Sequence, residues 1–512
     1  MTAVVTLITD TYLDSVVQLT GTRAMSQSAG VEWAAAAMAT AANVETLRDK
    51  GFDVGGLGAA RANDLFLAVL AGDAEAADAA IAAGRAALFP DRSGPQGAPA
   101  GGDGAARSLA EALSRLDGRG NVAIVSVPGP YAAIETHKAL TAGLHVLLFS
   151  DNVPLAEEIE LKDRARELGL LVMGPGAGTA MLGGTGLAFA NVVKPGRVGV
   201  VAAAGTGAQE AMSLLDQWGA GVSQVIGLGG RDLTGPVAGR MARAAIAALR
   251  DDPGTDAILL VSKPPDPEVA RQVTAVAGDK PLVAALIGLR EPLEGITTAA
   301  TLEQGVAEAV ARVGIAAPDP AAGLVAAVTA ACERVAPERT LIRGLYSGGT
   351  LCYEALSLLY QLVGAVHSNT PIDKRWGLPC PARAHSCLDL GEEEYTKGRP
   401  HPMIDPEARI EMMREAGADP DVAVILIDVV LGYGAHRDPA GVLVPVARAI
   451  MAAGGPQVVA YVLGTDGDPQ GLADQRERFR EAGCIVPATA ARAALAAAAL
   501  ATRCPELVCR LP

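Results

Sequence analysis

Apolar residues along the chain recur in two patterns that alternate. Short runs rich in valine, isoleucine and leucine, such as Val198–Ala204 and Val422–Leu431, are separated by longer segments in which apolar residues return every third or fourth position. The first pattern is typical of strands buried on both faces, and the second is typical of amphipathic helices. Because the two patterns alternate, the sequence predicts an α/β protein with parallel sheets and right-handed crossovers.

Breaks in this alternation divide the chain of 512 residues into several domains. The N-terminal segment has the pattern of a small α/β plait, with strands over Val4–Ile8, Trp33–Met38 and Leu65–Leu70. A linker rich in Gly and Pro follows, and then a Rossmann-like run of βαβ units that ends in a turn-rich bridge over residues 171–195. The last two units share one flavodoxin-like plan. The predicted domains are the plait (1–90), the linker with a short helix (91–118), the Rossmann-like domain (119–195) and the two flavodoxin-like domains (196–335 and 336–512).

Composition and charge exclude several classes of partner. The formal net charge of −15 argues against nucleic acid, since phosphate backbones are bound by basic surfaces. The N-terminus has neither a basic segment nor a long apolar core, and no apolar run is long enough to span a membrane. The seven cysteines include no CxxC pair and fit no common zinc spacing. We therefore expect a cytoplasmic protein with reduced thiols, no membrane partner and no metal.

Two glycine-rich turns, each between a buried strand and a helix, are the strongest candidates for a binding site. In such turns glycine lets the backbone approach a ligand closely, and the free N–H groups and the helix dipole favour an anion. A single turn of this kind is equally well explained as a tight connection, but two at equivalent positions, each with Gly, Thr and a glutamate downstream, favour phosphate binding. The residues concerned are Gly205, Thr206, Gly207 and Glu210 in the first turn and Ser347, Gly348, Gly349, Thr350 and Glu354 in the second.

Other polar residues are weaker candidates, each with a structural alternative. Lys263 and Arg231 follow strand ends, where open α/β sheets bind ligands, and Gly432 and Gly434 permit close approach after another strand. The segment GRPHPMIDP offers Arg399 for a carboxylate or phosphate and His401 as an acid or base, although Arg399 could simply pair with Asp405. Glu210 and Glu354 are either catalytic or serve only to stabilise the helix dipole.

Several of these runs resemble the succinyl-CoA synthetases. SVPGPYA, with Val127, Pro128, Gly129 and Pro130, is similar to the CoA-binding turn of the α-subunit, and KPGRVGVVAAAGTGAQEA is similar to its phosphate-facing helix. GRPHPMIDP and VAVILIDVVLGYGAHRDP resemble the C-terminal part of the β-subunit. Through LFSDNVPLAEEIELKDRARELGLLVMGP, GLGGRDL, VSKPP and GLYSGGTL, nearly the whole chain resembles the FdrA family. The resemblance implies a CoA-binding-type Rossmann domain and two ligase domains, with phosphate or acyl phosphate as ligand and CoA binding left open.

One departure from the synthetases bears on the reaction. They pass a phosphoryl group through a histidine, whereas this chain has no histidine between His145 and His367, and the matching stretch carries Thr297 and Thr298. No ATP-grasp domain is evident. The FdrA resemblance implies a subunit of a carbamoyltransferase that converts oxalurate and phosphate to oxamate and carbamoyl phosphate in allantoin catabolism, together with partner subunits. The alternatives are a subunit of an acyl-CoA ligase and a non-catalytic regulator that binds CoA or another metabolite.

Overall fold

The computed structural model describes residues 2–13, 15–58, 60–61, 63–89, 106–289, 292–396 and 400–511. The chain divides into two compact units, one formed by residues 1–105 and 392–401 and the other by residues 106–391 and 402–512. Among the residues that the structure describes, no helix is both long and apolar enough to cross a membrane.

The first unit is an α/β plait around a three-stranded antiparallel sheet. The central strand is β3, with β1 and β2 at the edges, and its residues are almost entirely buried between its two neighbours and the helices that pack on it. The predicted plait is therefore present, with each strand within two residues of its expected bounds. Its elements are β1 (Thr2–Ile8), α1 (Ser15–Ser26), β2 (Val31–Met38), α2 (Ala41–Asp49), β3 (Leu65–Ala71) and α3 (Ala74–Leu88).

The second unit begins with a small parallel sheet in the order β4-β5-β6. Helix α5 starts at Gly129, which places Pro130 in its first turn. Proline there has no N–H to lose and its fixed φ suits a helix start. The elements are α4 (Leu109–Arg115), β4 (Val122–Val125), α5 (Gly129–Thr141), β5 (His145–Leu148), α6 (Leu155–Glu167) and β6 (Val172–Met173).

The predicted turn-rich bridge over residues 171–195 requires a correction. It contains a β-hairpin formed by β7 (Thr179–Leu182) and β8 (Thr185–Ala188), and β7 pairs antiparallel with a strand of the next domain. The hairpin strands are too short, and their alternation too weak, to stand out from the surrounding glycines. The bridge thus extends a neighbouring sheet instead of only connecting two domains.

The next domain has the strand order of flavodoxin. Its seven-stranded sheet runs β13-β12-β11-β9-β10-β7-β8, so the five parallel strands follow the order 2-1-3-4-5 when read from β10. Helix α8 begins at Arg240, directly after Gly239, whose backbone is left-handed. The elements are β9 (Pro195–Ala202), α7 (Gly205–Gln217), β10 (Val222–Gly227), α8 (Arg240–Asp251), β11 (Ala257–Ser262), α9 (Pro267–Thr274), β12 (Leu282–Leu286), β13 (Thr297–Ala299) and α10 (Leu302–Arg312).

The last domain is built around a five-stranded parallel sheet in the order β15-β16-β14-β17-β18, and without the two-residue β15 its strands follow the flavodoxin-like order 2-1-3-4. The sequence pattern missed strand β16, because its residues HSCLD lack the valines and isoleucines that mark the others. The elements that follow β13 and α10 are α11 (Leu324–Arg334), β14 (Leu341–Tyr346), α12 (Gly349–Val363), β15 (Val366–His367), β16 (His385–Asp389), α13 (Glu393–Thr396), α14 (Glu407–Ala418), β17 (Val422–Val430), α15 (Pro439–Ala452), β18 (Gln457–Leu463), α16 (Leu472–Glu481) and α17 (Ala490–Thr502), of which α13 belongs to the first unit.

A fully buried lysine ties helix α6 to the loop after β10. The Lys162 Nζ lies 2.8 Å from Glu158 Oε1 and 2.8 Å from Asp232 Oδ1, and it also donates to the carbonyl of Leu228. Arg231 adds a second cation, with its Nε 2.7 Å from Glu158 Oε2. Two carboxylates and two cations therefore balance one another, as buried charges require.

Replacing Lys162 by methionine should destabilise this unit strongly. Lys162→Met leaves Glu158 and Asp232 without their shared cation, and breaking a buried pair from one side costs about 3–5 kcal/mol. The exposed Lys138, which pairs with Glu135, provides the control, because Lys138→Met removes a surface pair worth about 0–1 kcal/mol. Urea unfolding followed by circular dichroism measures both, and equal midpoints for the two variants would contradict the assignment.

Candidate functional site

The two glycine-rich turns predicted from the sequence lie directly against each other in the second unit. The N–H of Thr350 donates to Thr206 Oγ1 over 3.3 Å. A Cβ built on Gly348 would lie 2.7 Å from Thr206 Cγ2, and one on Gly207 would lie 2.9 Å from Thr350 Cγ2. The absence of side chains at these glycines therefore lets the starts of helices α7 and α12 approach closely, so the structure brings both turns to one place.

The second turn already holds a carboxylate. Asp428, buried within strand β17, accepts hydrogen bonds from the N–H groups of Ser347 and Gly348 over 2.7 and 2.8 Å, and one from the Ser347 hydroxyl. Arg409 pairs with the same carboxylate at 3.0 Å. The N–H groups of Ser347 and Gly348 are thus taken up inside the protein, so the prediction that they hold a phosphate does not fit these contacts.

The start of helix α12 is flanked by charges of both signs. A Cβ on Gly349 would lie 2.3 Å from Asp389 Oδ2 and 3.3 Å from Lys263 Nζ. Lys263 thus reaches the turns, as its position after strand β11 predicted. A cation near a helix N-terminus is unfavourable by itself and makes the place more attractive to an anion, but Asp389 already supplies part of that negative charge.

The first turn is the more open of the two. Apart from its two chain neighbours and the nearby backbone of its own helix, no described atom lies within 4 Å of the place where a Cβ on Gly205 would stand. Its N-cap, Ala204, has no side-chain oxygen to accept from the first N–H groups of helix α7. An uncapped helix start with space in front of it can receive an anion, so the first turn fits the predicted phosphate better than the second, and phosphate binding there stays a prediction.

Glu210 and Glu354 each cap a helix of the opposite flavodoxin-like domain. Glu210 Oε1, on α7, accepts from the N–H of Ala490 at the start of α17, over 3.2 Å. Glu354 Oε1, on α12, accepts from the N–H of Leu302 at the start of α10, over 2.6 Å. Both carboxyl groups are buried, and burial raises the pKa of Glu210 to about 7 and that of Glu354 to about 8. These contacts give the two glutamates a structural role between the domains, which the sequence alone did not reveal.

Further polar contacts strengthen the same interface. The hydroxyl of Tyr461 donates to Glu210 Oε2, while Glu354 Oε2 is buried without a hydrogen-bond partner among the described residues. Glu303, next to the start of α10, forms a bidentate pair with Arg492 of α17, with the closest N–O distance at 2.6 Å, and accepts from Thr489. The interface thus joins the two domains through buried, charge-assisted hydrogen bonds.

Three predicted ligand-binding residues have other partners in the structure. Arg231 pairs with Glu158 through its Nε and donates from Nη2 to the carbonyl of Val153 over 2.7 Å. Gly432 and Gly434 both have positive φ and pack against the segment 189–191, where a side chain would collide with Ala190 O or the Phe189 ring. Packing alone is enough to explain why these two positions are glycine, and the substrate-binding role of all three residues stays a prediction.

The remaining predicted residues have local contacts of their own, belong to the first unit, or lie outside the described part of the chain. Gly129 is buried at the start of α5, where a Cβ would lie 2.7 Å from the carbonyl oxygens of Asp151 and Asn152, while Pro128 and Pro130 beside it are exposed. Val127 accepts a hydrogen bond from Ser150. His401 belongs to the first unit, so its part in a site with the glycine turns stays a prediction. Arg399 lies outside the described residues.

The sequence analysis missed Asp428, which fills the second turn, although one feature of the sequence marks this residue. Asp428 is the single charged side chain in the nine-residue apolar strand β17, and a charge in a buried strand needs a partner. No such signal marks Asp389, Arg409 or Tyr461, because their roles depend on which distant elements pack against them. Only the three-dimensional structure identifies these.

Neutralising the Glu354 side chain should change how stability depends on pH. An unfolded glutamate ionises near 4.5, whereas Glu354 in the folded protein ionises near 8. The folded state therefore keeps an extra proton between these values, so this contribution to stability is complete below pH 4.5 and is lost as pH rises through about 8. Glu354→Gln should flatten that fall and raise the unfolding temperature at pH 8, relative to the wild type, by on the order of several degrees.

Thermal unfolding of wild type and variant from pH 5 to pH 9 measures the effect. Glu308→Gln, at an exposed position of α10 that pairs with Arg312, is the matched control and should follow the wild type at every pH. Parallel curves for Glu354→Gln and the wild type would show that the Glu354 carboxyl is not held protonated in the fold.

Comparison with known proteins relates both ends of the chain to described families. Residues 345–500 match the model of the CoA-ligase family, and residues 1–103 match the model described as AllF, heavy metal-associated domain. Residues 1–103 contain neither cysteine nor histidine, the ligands that soft metals prefer, so they do not fit such a metal. Among the described residues, no group of three or more His, Cys, Asp or Glu side chains is placed to hold a metal ion.

The relatives include both a full-length match and partial ones. The succinate–CoA ligase [ADP-forming] α-2 subunit of Trichomonas vaginalis is 29% identical, over 36% of this chain and 62% of its own. The α-2 subunit of the same enzyme from Archaeoglobus fulgidus is 31% identical, over 36% of this chain and 64% of its own. The chain therefore spans less than two thirds of the length of these ligase subunits. The uncharacterized protein YahF of Escherichia coli strain K12 is 38% identical over 95% of this chain and 96% of its own. Because this last identity extends over nearly the whole of both chains, the protein belongs to the YahF family, which is related to the succinate–CoA ligases.

Proposed function

We propose that this protein is an FdrA-type subunit of a phosphate-dependent carbamoyltransferase and that it binds phosphate at the Gly205–Gly207 turn. The observation that carries the proposal is the open, uncapped start of helix α7, which offers N–H groups and a positive dipole end to an anion. Lys263, beside the adjoining turn, adds a positive charge of its own.

The chemistry needs an anchored phosphate and no covalent intermediate. A phosphate oxygen attacks the carbamoyl carbonyl of oxalurate, and a new C–O bond forms while the C–N bond to the oxamate nitrogen breaks. The proton that the phosphate carries goes to that nitrogen, so oxamate leaves as a neutral amide. N–H groups aimed at the developing oxyanion would lower the barrier, as in other acyl-transfer sites. This route needs no phosphorylated histidine, so it is compatible with a chain that has no histidine between His145 and His367.

Under this proposal Glu210 and Glu354 are positioning residues. Their carboxyl groups hold helices α17 and α10 across the domain interface, and thereby fix the two helix starts that carry the glycine turns. They do not need to touch the substrate. The match of residues 1–103 to a domain model named for AllF supports a role in the same area of metabolism as the FdrA resemblance implies.

A second candidate is a subunit of an ADP-forming acyl-CoA ligase. The CoA-ligase match over residues 345–500 and the identity to two succinate–CoA ligase subunits favour it. In that case a separate chain would supply nucleotide chemistry, and the turn Val127–Pro130 would be a place for CoA. The missing histidine counts against this candidate, since phosphoryl transfer to a succinate would lack its carrier.

Blocking the first turn should abolish phosphate binding without disturbing the fold. Gly205→Val points a side chain into empty space, so the protein should fold normally while the backbone N–H groups become inaccessible. Gly349→Val is a poor test, because its side chain would collide with Asp389. Titration calorimetry with inorganic phosphate should show binding weakened at least about tenfold in Gly205→Val, the loss expected for one charge-assisted contact.

Gly230→Val is the matched control for this titration, because a Cβ on Gly230 also has no described atom within 4 Å and lies on a different loop. It should bind phosphate like the wild type. Unchanged phosphate binding in Gly205→Val would show that phosphate does not bind at this turn.

The reaction itself is tested with oxalurate and phosphate, in the presence of the proteins encoded by neighbouring genes and again without them. We expect carbamoyl phosphate to form in the complete mixture, to be lost with Gly205→Val and to persist with Gly230→Val. CoA-dependent ATP turnover in place of carbamoyl phosphate would favour the ligase. If neither activity appears while CoA stays bound to the purified protein, the regulator is favoured.

A further inference from the structure

A cavity whose lining includes no residue of the glycine turns lies between helix α11 and the end of the last domain. It has a volume of about 490 Å³. One wall is a single face of helix α11, from Gly323 and Leu324 to Arg334, and the opposite wall is formed by helix α16 and residues 483–488. Since α11 has 11 residues, this wall is roughly 16 Å long, enough for an elongated small molecule.

The charged residues that line this cavity are all arginines. Arg334 comes from α11, and Arg476 and Arg480 come from successive turns of α16. No aspartate or glutamate lines it among the residues that the structure describes, although the whole chain carries a net charge of −15. Three like charges around one space are unfavourable unless an anion offsets them, and a pair at i and i+4 of one helix repels for the same reason.

Of the three arginines, Arg476 is the one whose partly buried side chain is least satisfied by partners in the protein. Its terminal nitrogens donate to Gln217 Oε1 and to the carbonyl of Val462, but its Nε is buried and makes no hydrogen bond with any described residue. Burial lowers the pKa of Arg476, as expected for a cation removed from water. A buried donor without a partner costs free energy that a bound acceptor would recover.

The rest of the lining indicates what kind of anion would fit. Apart from the arginines, the walls are small or apolar, with Leu324, Ala327, Ile485, Val486 and Pro487 among them. Helix α11 begins beside Gly323, which has no side chain to cap it, so its positive dipole end also faces this region. A volume of this size matches ligand pockets of about 300–1,000 Å³ and exceeds what one inorganic ion would fill.

We propose that this arginine-lined cavity is a binding site for an organic anion that combines an apolar body with a phosphate or carboxylate group. The arginines hold the anionic group through paired N–H donors, and the apolar wall of α11 packs against the body. The site is separate from the glycine turns and does not depend on the reaction proposed for them.

Two small probes of matched shape distinguish the possible anionic groups. Phenyl phosphate and phthalate both carry an aromatic body, one with a phosphate and the other with two carboxylates, and inorganic phosphate serves as the probe without a body. Binding is measured by titration calorimetry on the full chain. The Gly205→Val background removes any contribution from the glycine turn. We expect saturable binding of phenyl phosphate or phthalate, at least about tenfold tighter than that of inorganic phosphate.

Arg480 offers the cleanest substitution. Its side chain is half exposed and pairs with the equally exposed Glu477, so Arg480→Gln should leave the fold intact. Arg480→Gln should lower the affinity for the tighter-binding probe at least about tenfold, and the double variant Arg334→Gln/Arg480→Gln should lower it further. Arg478→Gln, on the same helix but facing Asp438 and not the cavity, is the control and should bind like the wild type.

The outcome separates the interpretations. Tighter binding of phenyl phosphate assigns the site to phosphorylated ligands, and tighter binding of phthalate assigns it to carboxylates. If neither probe binds better than inorganic phosphate, or if Arg480→Gln and Arg478→Gln bind equally well, the cavity is not an anion site. The comparison of Arg480→Gln with Arg478→Gln reports on the cavity whether or not Gly205→Val weakens phosphate binding, so the two proposals fail independently.

Discussion

The arrangement of the second unit depends on a reciprocal exchange of helix caps between its two flavodoxin-like domains. Glu210 reaches out of its own domain to accept from the first N–H of α17, and Glu354 reaches out of the other domain to accept from the first N–H of α10. The two glutamates occupy the same place in their helices, five residues after Gly205 and Gly349. An acceptor at a helix start satisfies a donor that otherwise has no partner inside the helix. Each domain therefore completes a helix of the other.

This exchange explains why the glycine turns face each other. Helices α7 and α12 carry the turns at their N-termini and the glutamates about one turn later, so fixing the glutamates also fixes the helix starts. Gly207 and Gly348 then allow Thr206 and Thr350 to meet without a collision. The two turns differ in what occupies them. Asp428 fills the second turn from within the protein, whereas Gly205 in the first turn faces open space. The duplicated plan has thus produced one turn that holds a carboxylate of the protein and one turn that is open.

The sequence predicts the fold well because its strands are marked by strong, regular patterns. Valine- and isoleucine-rich strands such as β9 and β17 and capped helices such as α10 are specified locally, and their order determines the flavodoxin-like sheets. The hairpin of β7 and β8 and strand β16 were missed because weak alternation and tertiary pairing define them. The glycine turns were found because glycine directly after a buried strand indicates a sharp turn of the backbone. The partners of Glu210 and Glu354, by contrast, lie 280 and 52 residues away, and no local pattern encodes such distances.

One side chain connects the arginine-lined cavity with the open turn. Arg476 lines the cavity and also holds Gln217, the last residue of helix α7, whose first residue is Gly205. Its positive charge also lowers the pKa of Glu210, which caps α17 from the middle of α7. An anion in the cavity would offset that charge, favour the protonated form of Glu210 and so alter the hydrogen bonds that fix α7. Any such coupling is reciprocal, because a ligand at the turn that prefers one state of α7 must change the affinity of the cavity by the same factor. Helix α7, with 13 residues and a length of roughly 20 Å, thus has Gly205 at one end and a contact with the cavity-lining Arg476 at the other.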